Sequence, residues 1–296
     1  MTKVHPPDHP RAILDGWGLT ACHRLGQNFV VAGDLLQRIV DLAEVGPEHV
    51  VLEVGTGLGR LTAALADRAA VVVSVEIDSR LFDVAQERLD ERENVTLINA
   101  DFLASKHLIN PVVTDAVRGV LGSGQLKVVA NLPYQISSPA IIDLLEWEVK
   151  PVEIDVMLQA EVADRLQAAP GSRAYGPLSV FAAYWAGVER LLKVPPSAFW
   201  PQPKVSSALV RITPRAARPA AVSYGLFSEV VRRLMQGRRK GVGRTLESGW
   251  GRQLARGVLE GLGIERLIRP ERLSPEDFAR ISNALYEAGA VPADGQ

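Results

Sequence analysis

Four consecutive residues, Asn131-Leu132-Pro133-Tyr134, combine an amide, a fixed backbone and an aromatic face. Asn131 offers an amide oxygen and an amide NH2. Pro133 fixes its own φ and biases Leu132 towards an extended conformation, a geometry that can turn backbone carbonyls outward. Tyr134 is a flat surface on which a nucleobase can stack. Such a set can accept hydrogen bonds from an exocyclic amine while holding the ring beside it. Taken alone, the tetrapeptide is better explained as a turn with a half-buried tyrosine. The glycine-rich loop upstream, Gly55-Thr56-Gly57-Leu58-Gly59, changes that balance.

The elements around these residues give them a common setting. His49–Val54, Val71–Val75, Val95–Asn99 and Val128–Ala130 read as buried strands one to four of a parallel sheet. Each ends in something polar or glycine-rich: the glycine loop, Glu76, Asp101-Phe102, and then Asn131. Ligands of open α/β sheets bind beyond such carboxyl ends. The glycines let backbone approach a ligand closely. Glu76 follows the loop at the distance where an acid can bond ribose hydroxyls. Asp101 can accept from an adenine amine while Phe102 covers the ring, although a plain turn residue is the simpler account of Asp101 by itself. A nicotinamide dehydrogenase also uses a glycine loop and an acid, but it has no role for N-x-P-Y.

Further along, Ile154–Leu158, Glu189–Val194 and Ser207–Ile212 read as three more strands. Asp34 is expected to cap a helix striped with Leu35, Leu36, Ile39 and Val40. The reading is a mostly parallel, seven-stranded α/β sheet of Rossmann-like type with a small C-terminal all-helical domain. It expects a flexible tail over 1–25, where Pro6, Pro7 and Pro10 discourage helix, a catalytic domain over 26–214 and a helical domain over 215–296.

Composition excludes several classes. The 296 residues are 47% hydrophobic and 23% charged, ordinary for a soluble globular protein. No apolar run approaches a membrane span and the N-terminus lacks the apolar centre of a signal peptide, so no membrane partner and a cytoplasmic location are expected. One cysteine, Cys22, cannot form an intrachain disulfide. Five scattered histidines suggest no metal site. Net charge is −1, yet between Arg215 and Arg256 ten basic residues, Arg218 among them, face only Glu229 and Glu247. That local surplus is as consistent with a phosphate-binding surface as with a solvated helix face. Its densest part is Arg232, Arg233, Arg238, Arg239 and Lys240.

Gly26-Gln27-Asn28-Phe29, the glycine loop with Glu53, Glu76-Ile77-Asp78, Asn99-Ala100-Asp101-Phe102 and Asn131-to-Tyr134 together resemble one family. It is the S-adenosylmethionine-dependent, KsgA-type ribosomal RNA adenine dimethyltransferases. Tyr175-Gly176-Pro177-Leu178, Pro195-to-Phe199 and Gly237-to-Lys240 extend the resemblance over roughly residues 20–285. It implies that S-adenosylmethionine is held by Asn28, Val30, Gly55, Gly57, Glu76, Ile77, Asp101, Phe102 and Asn131. It implies that Asn131, Leu132, Pro133 and Tyr134 hold the target adenine, with Phe199 on its other face. It also implies a monomer acting on ribosomal RNA or the assembling small subunit. Thr56 and Val30 depart from the usual Pro and Leu of the pattern. Two neighbouring readings share its motifs: a 23S-type adenine methyltransferase conferring antibiotic resistance, and an assembly factor with vestigial catalysis.

Overall fold

The fold is known from a computed structural model that describes residues 8–105, 108–215 and 221–292. Arg218 and its neighbours over 216–220, at the start of the expected helical domain, lie outside the described residues, as does the start of the expected tail.

The apolar runs form β1 (His49–Val54), β2 (Val71–Glu76), β3 (Val95–Asn99), β4 (Gln125–Asn131) and β5 (Glu153–Gln159), followed by β6 (Ala186–Val194) and β7 (Ser207–Pro214). They build one seven-stranded sheet in the order β3-β2-β1-β4-β5-β7-β6. The first five strands are mutually parallel, and β7 runs antiparallel to β5. All six residues of β1 and the middle of β4 are buried, as expected of strands covered on both faces. Chain order reverses between β1 and β4, so the crevice at their carboxyl ends is the topological switch point. The glycine loop leaves β1 there and the N-x-P-Y tetrapeptide leaves β4 there.

The helices are α1 (Pro10–Gly16), α2 (Gly33–Leu42), α3 (Arg60–Ala66), α4 (Ser79–Leu89), α5 (Pro111–Leu121), α6 (Ser137–Glu146), α7 (Ala160–Leu166), α8 (Pro177–Trp185), α9 (Tyr224–Gln236), α10 (Val242–Trp250), α11 (Arg252–Leu262) and α12 (Pro275–Glu287). α1 departs from the expected loose tail. Pro10 opens this helix rather than preventing it, because a first-turn residue needs no amide hydrogen, and the His9 side chain caps the Arg11 amide. Ile13 and Leu14 then bury against Leu58, Leu81 and Val84. α2 begins at Gly33 with Ala32 at its cap, leaving Asp34 in the first turn, where it suits the helix dipole.

The chain divides into two compact units. The first, up to Ala163 plus Val188–Pro214, carries almost all of the sheet. The second comprises Asp164–Gly187 and the residues from Arg215 onward. The sequence reading kept α8 with the sheet. In the structure Phe181 and Tyr184 of α8 pack on Phe227 of α9, and Trp185 meets Tyr224 edge-on, which ties α8 to the helical unit. Among the described residues no helix is long and apolar enough to cross a membrane, and no cluster of His, Cys, Asp and Glu is arranged to hold a metal.

Candidate active site

At the switch point lies a cleft of about 930 Å³, counting the open space at its mouth. Its walls come from the segment Arg24–Phe29, the glycine loop, Glu76-Ile77, Ala100–Phe102 and Asn131–Ile136. Two glycines are needed where these segments meet. Gly55 has φ 90°, and a Cβ there would touch the Pro133 ring at 3.4 Å. Gly57 has φ 57°, and its Cβ would lie 3.3 Å from Phe29. The glycine loop therefore sits against the tetrapeptide and the 24–29 segment in backbone conformations that residues with a side chain rarely adopt.

Glu76 ends β2 at the back of the cleft. Its two carboxylate oxygens accept from the Gly57 amide at 2.8 Å and the Asp78 amide at 2.9 Å. Each oxygen keeps a further acceptor position. Burial raises its pKa, and the amides of Asp78 and Gly57 act against that shift. Asp78 caps α4 and also accepts from the Arg80 guanidinium and from Gln27 Nε2 at 2.9 Å. The Arg80 bonds hold the Asp78 carboxyl below its ordinary pKa. Gln27 Oε1 in turn accepts from the Cys22 amide at 2.7 Å. This chain of bonds fastens the 22–28 segment along one wall. Asp101 is exposed at the rim, with Oδ1 accepting from the Leu103 amide. Phe102 is buried beneath it, and Ile77 is 49% exposed.

Asn131 Nδ2 donates to the Asn28 carbonyl at 3.0 Å. That bond sets the amide's orientation, since only the nitrogen can face a carbonyl, and it leaves Oδ1 as an open acceptor. The Pro133 carbonyl accepts from the Ile136 amide at 3.1 Å, and the Tyr134 carbonyl from the Ser137 hydroxyl at 3.1 Å. The Leu132 carbonyl has no partner among the described residues. The tetrapeptide therefore presents two unused acceptors, Asn131 Oδ1 and Leu132 O, with the half-buried Tyr134 ring beside them. A smaller recess shares Phe29, Gly55, Gly57 and Asn131 with the cleft and adds Glu53, Thr56 and Arg60. Glu53 is 1% exposed and accepts from Thr62 at 2.5 Å and Ser74 at 2.6 Å. Burial pushes its carboxyl up to about 8 against those two bonds.

Of the expected cofactor and base residues, the cleft gathers Asn28, Gly55, Gly57, Glu76, Ile77, Asp101, Phe102 and Asn131 to Tyr134. Val30 lines the adjoining smaller recess rather than the cleft itself, and Phe199 lines neither. They are register partners in a two-stranded antiparallel ladder of Phe29–Val30 with Phe199–Trp200. The Val30 carbonyl accepts from the Arg60 guanidinium. Phe199 is 3% exposed in the core cluster that holds Leu36, Met157 and Leu209, so its ring is spent on packing here rather than offered to a base. Sequence reasoning missed Arg24 and Gln135, which do line the cleft. Neither sits in a chemically distinctive pattern.

The basic set in the helical unit also separates. Arg233 bonds Glu229 at 2.7 Å and lies over the Trp250 ring, and Arg232 lies over Phe181. Arg238, Arg239 and Lys240 are exposed in the turn after α9, with no carboxylate partner among the described residues.

Residues 18–287 match the family model described as ribosomal RNA adenine dimethylase. A protein of Levilactobacillus brevis named ribosomal RNA small subunit methyltransferase A is 40% identical over 98% of this chain and 99% of its own length. One of the same name from Bacillus cytotoxicus is 38% identical over 96% of this chain and 98% of its own length. Among solved structures, a dimethyladenosine transferase from Plasmodium falciparum superposes with TM-score 0.72 at 22% identity, covering 88% of this chain and 98% of that one, and so speaks for the fold. The 23S rRNA methyltransferase ErmE superposes with TM-score 0.62 at 27% identity, covering 88% of this chain and all of that one.

Proposed function

The chain belongs to the ribosomal RNA adenine dimethylase family, and from that premise we propose that it transfers methyl groups from S-adenosylmethionine to the exocyclic amines of two adjacent adenosines in small-subunit ribosomal RNA, late in assembly of the subunit. The observation that carries this reading is the pair of open acceptors, Asn131 Oδ1 and Leu132 O, beside the Tyr134 ring at the cleft mouth. An adenine amine has two hydrogens to give and a lone pair delocalised into its ring. Two acceptors on those hydrogens draw the nitrogen towards a pyramidal form and free the lone pair. Tyr134 stacks the purine, an interaction worth roughly 1–3 kcal/mol per base.

The donor set along the rest of the cleft fits an adenosine-bearing cofactor. Glu76 would accept from ribose hydroxyls, Asp101 from the adenine amine, and Ile77 and Phe102 would flank the ring. When bound, S-adenosylmethionine supplies an activated methyl group. The protein's contribution is position: Asn28 holds the Asn131 amide, and the glycine loop admits a ligand close to the backbone. The methylated amine is acidic enough to lose its proton without a dedicated base. A paired adenine cannot reach such a cleft, so the target is unpaired or extruded. Arg238, Arg239 and Lys240 are the residues placed to meet RNA phosphates.

The small-subunit assignment is favoured over a 23S target because the small-subunit relatives are 38–40% identical and ErmE 27%. The test is mass mapping of methyladenosines in ribosomal RNA from cells with and without the protein. Two adjacent dimethyladenosines that vanish from the small-subunit RNA are expected. A loss confined to the large-subunit RNA would overturn the reading.

A further inference from the structure

Tyr134 Oη lies 2.7 Å from Ser207 Oγ, in a hydrogen bond that either hydroxyl can donate. Ser207 is 1% exposed, and no other side-chain partner of its hydroxyl is found among the described residues. Serine in a strand needs no such bond, and an apolar residue of its size would fill the same space. Fold topology explains how the two meet across 73 positions. The parallel strands deliver their last residues to the cleft edge of the sheet. β7 is antiparallel to β5, so its first residue, Ser207, arrives at that same edge, opposite Gln159. Tyr134, three residues beyond the end of β4, reaches across β5 to meet it. Burial raises the Tyr134 pKa and only the Ser207 bond opposes the shift, so the phenol stays neutral.

A tyrosine ring in a loop turns about two side-chain torsions, and the second is broad. Neither Leu132 nor Pro133 offers a group that would fix the far end of the ring. The Ser207 hydroxyl does, by tethering the atom most distant from the backbone. We propose that Ser207 is a positioning residue for base methylation: it acts through Tyr134, holding the stacking face at the tilt that brings the purine amine to Asn131 Oδ1 and Leu132 O. This rests on the reading of the cleft as an adenine site. It changes what a phenylalanine at 134 should do. The ring alone, judged from sequence, suffices for stacking. The buried bond gives the hydroxyl a role and makes Tyr134→Phe harmful.

The experiment is a double-mutant cycle with Ser207→Ala, Tyr134→Phe and the pair, read by single-turnover methylation of small-subunit RNA, by cofactor affinity and by thermal stability. Each single variant is expected to slow methyl transfer by about 3- to 10-fold at saturating RNA. The double variant should be no slower than the worse single, because one bond cannot be lost twice. Affinity for S-adenosylmethionine should stay at wild type in all three. Additive losses, or a slow Ser207→Ala beside a normal Tyr134→Phe, would show that Ser207 works by another route and would overturn the proposal. Should Ser207→Ala be too unstable to assay, Tyr134→Phe decides by itself, since a wild-type rate there removes any role for the tether. Tyr134→Ala separates this inference from its premise. If that variant methylates normally, the adenine site itself is misplaced. If it fails while Tyr134→Phe and Ser207→Ala are normal, only the tether is refuted.

Discussion

The two ends of β4 carry polar groups of opposite character. Near its start, Lys127 is buried, and its ammonium donates to the Ala43 carbonyl at 2.6 Å and to Glu153 at 2.8 Å. Arg211 of β7 sits beside them, 3.0 Å from both Glu153 and Asp155 and bonded to the Leu42 carbonyl. In this cluster burial pushes the Asp155 carboxyl up to about 7, and it meets Glu153 as well as Arg211. At the other end, Asn131 satisfies its NH2 on Asn28 and leaves its oxygen open, as Leu132 leaves its carbonyl. Both ends are rich in polar atoms. The near-closed cluster spends them on the fold, and the open one keeps acceptors for something absent from the chain. The number of charges at a site says less than the number of unmet hydrogen bonds it presents at a cleft.

If that contrast is right, Lys127→Ala should be the most damaging change to stability and leave chemistry alone. It takes from the partly buried Glu153 one of its two cations, leaving Arg211, and takes the donor from the Ala43 carbonyl; a lost hydrogen bond to a charged group costs about 1.5–3 kcal/mol. Denaturant unfolding should show that loss, while the methylation rate per folded molecule stays near wild type. A rate that falls with stability intact would mean the closed cluster also serves the site.

Asn131→Ala tests the open end. It removes an acceptor for the amine and the tie to Asn28. Methyl transfer should slow on the order of 10²–10³-fold, the loss typical of one preorganised polar group at a reacting centre. The melting temperature should hardly move. A large stability loss with a modest rate change would place Asn131 in the closed class.

Glu76→Ala sharpens the comparison, because Glu76 is partly closed, with two backbone amides bound, and partly open. Loss of ribose acceptors should weaken S-adenosylmethionine binding by roughly 1–3 kcal/mol in calorimetry. Unchanged affinity would assign the carboxylate to the backbone alone.

Glu53 gives the most specific effect, one read only against pH. Its carboxyl is pushed up to about 8 by burial, above the roughly 4.3 of an unfolded glutamate. Folding therefore favours the protonated form. That contribution is complete below the unfolded value and is lost as pH rises through about 8. Glu53→Gln, which cannot ionise, should gain on the wild type as pH rises across that window, by up to about 1.4 kcal/mol per pH unit. Parallel stability curves from pH 5 to 8 would show that Glu53 is ionised throughout.

Much of the site is legible in the residues themselves. Apolar runs that end in glycines, Glu76, Asp101 or Asn131 mark strand ends, and a parallel sheet brings such ends to one edge whatever the loop lengths between them. Local rules of turn and strand are enough for that. The sequence does not show which pairings distant segments adopt. Phe199 has the character of a stacking ring, yet its ladder with Val30 turns it into core. Arg232 and Arg233 belong to the same charge run as Arg238, but packing sets them against Phe181 and Trp250. Pro10 reads as a breaker, and its place at a first turn makes it a helix start. Ser207 is an unremarked residue of an alternating strand until the antiparallel direction of β7 carries it to Tyr134. Residue chemistry and spacing determine what groups are offered at the sheet edge. Strand order and direction, set by packing between residues far apart in the chain, decide which of those groups remain free to act.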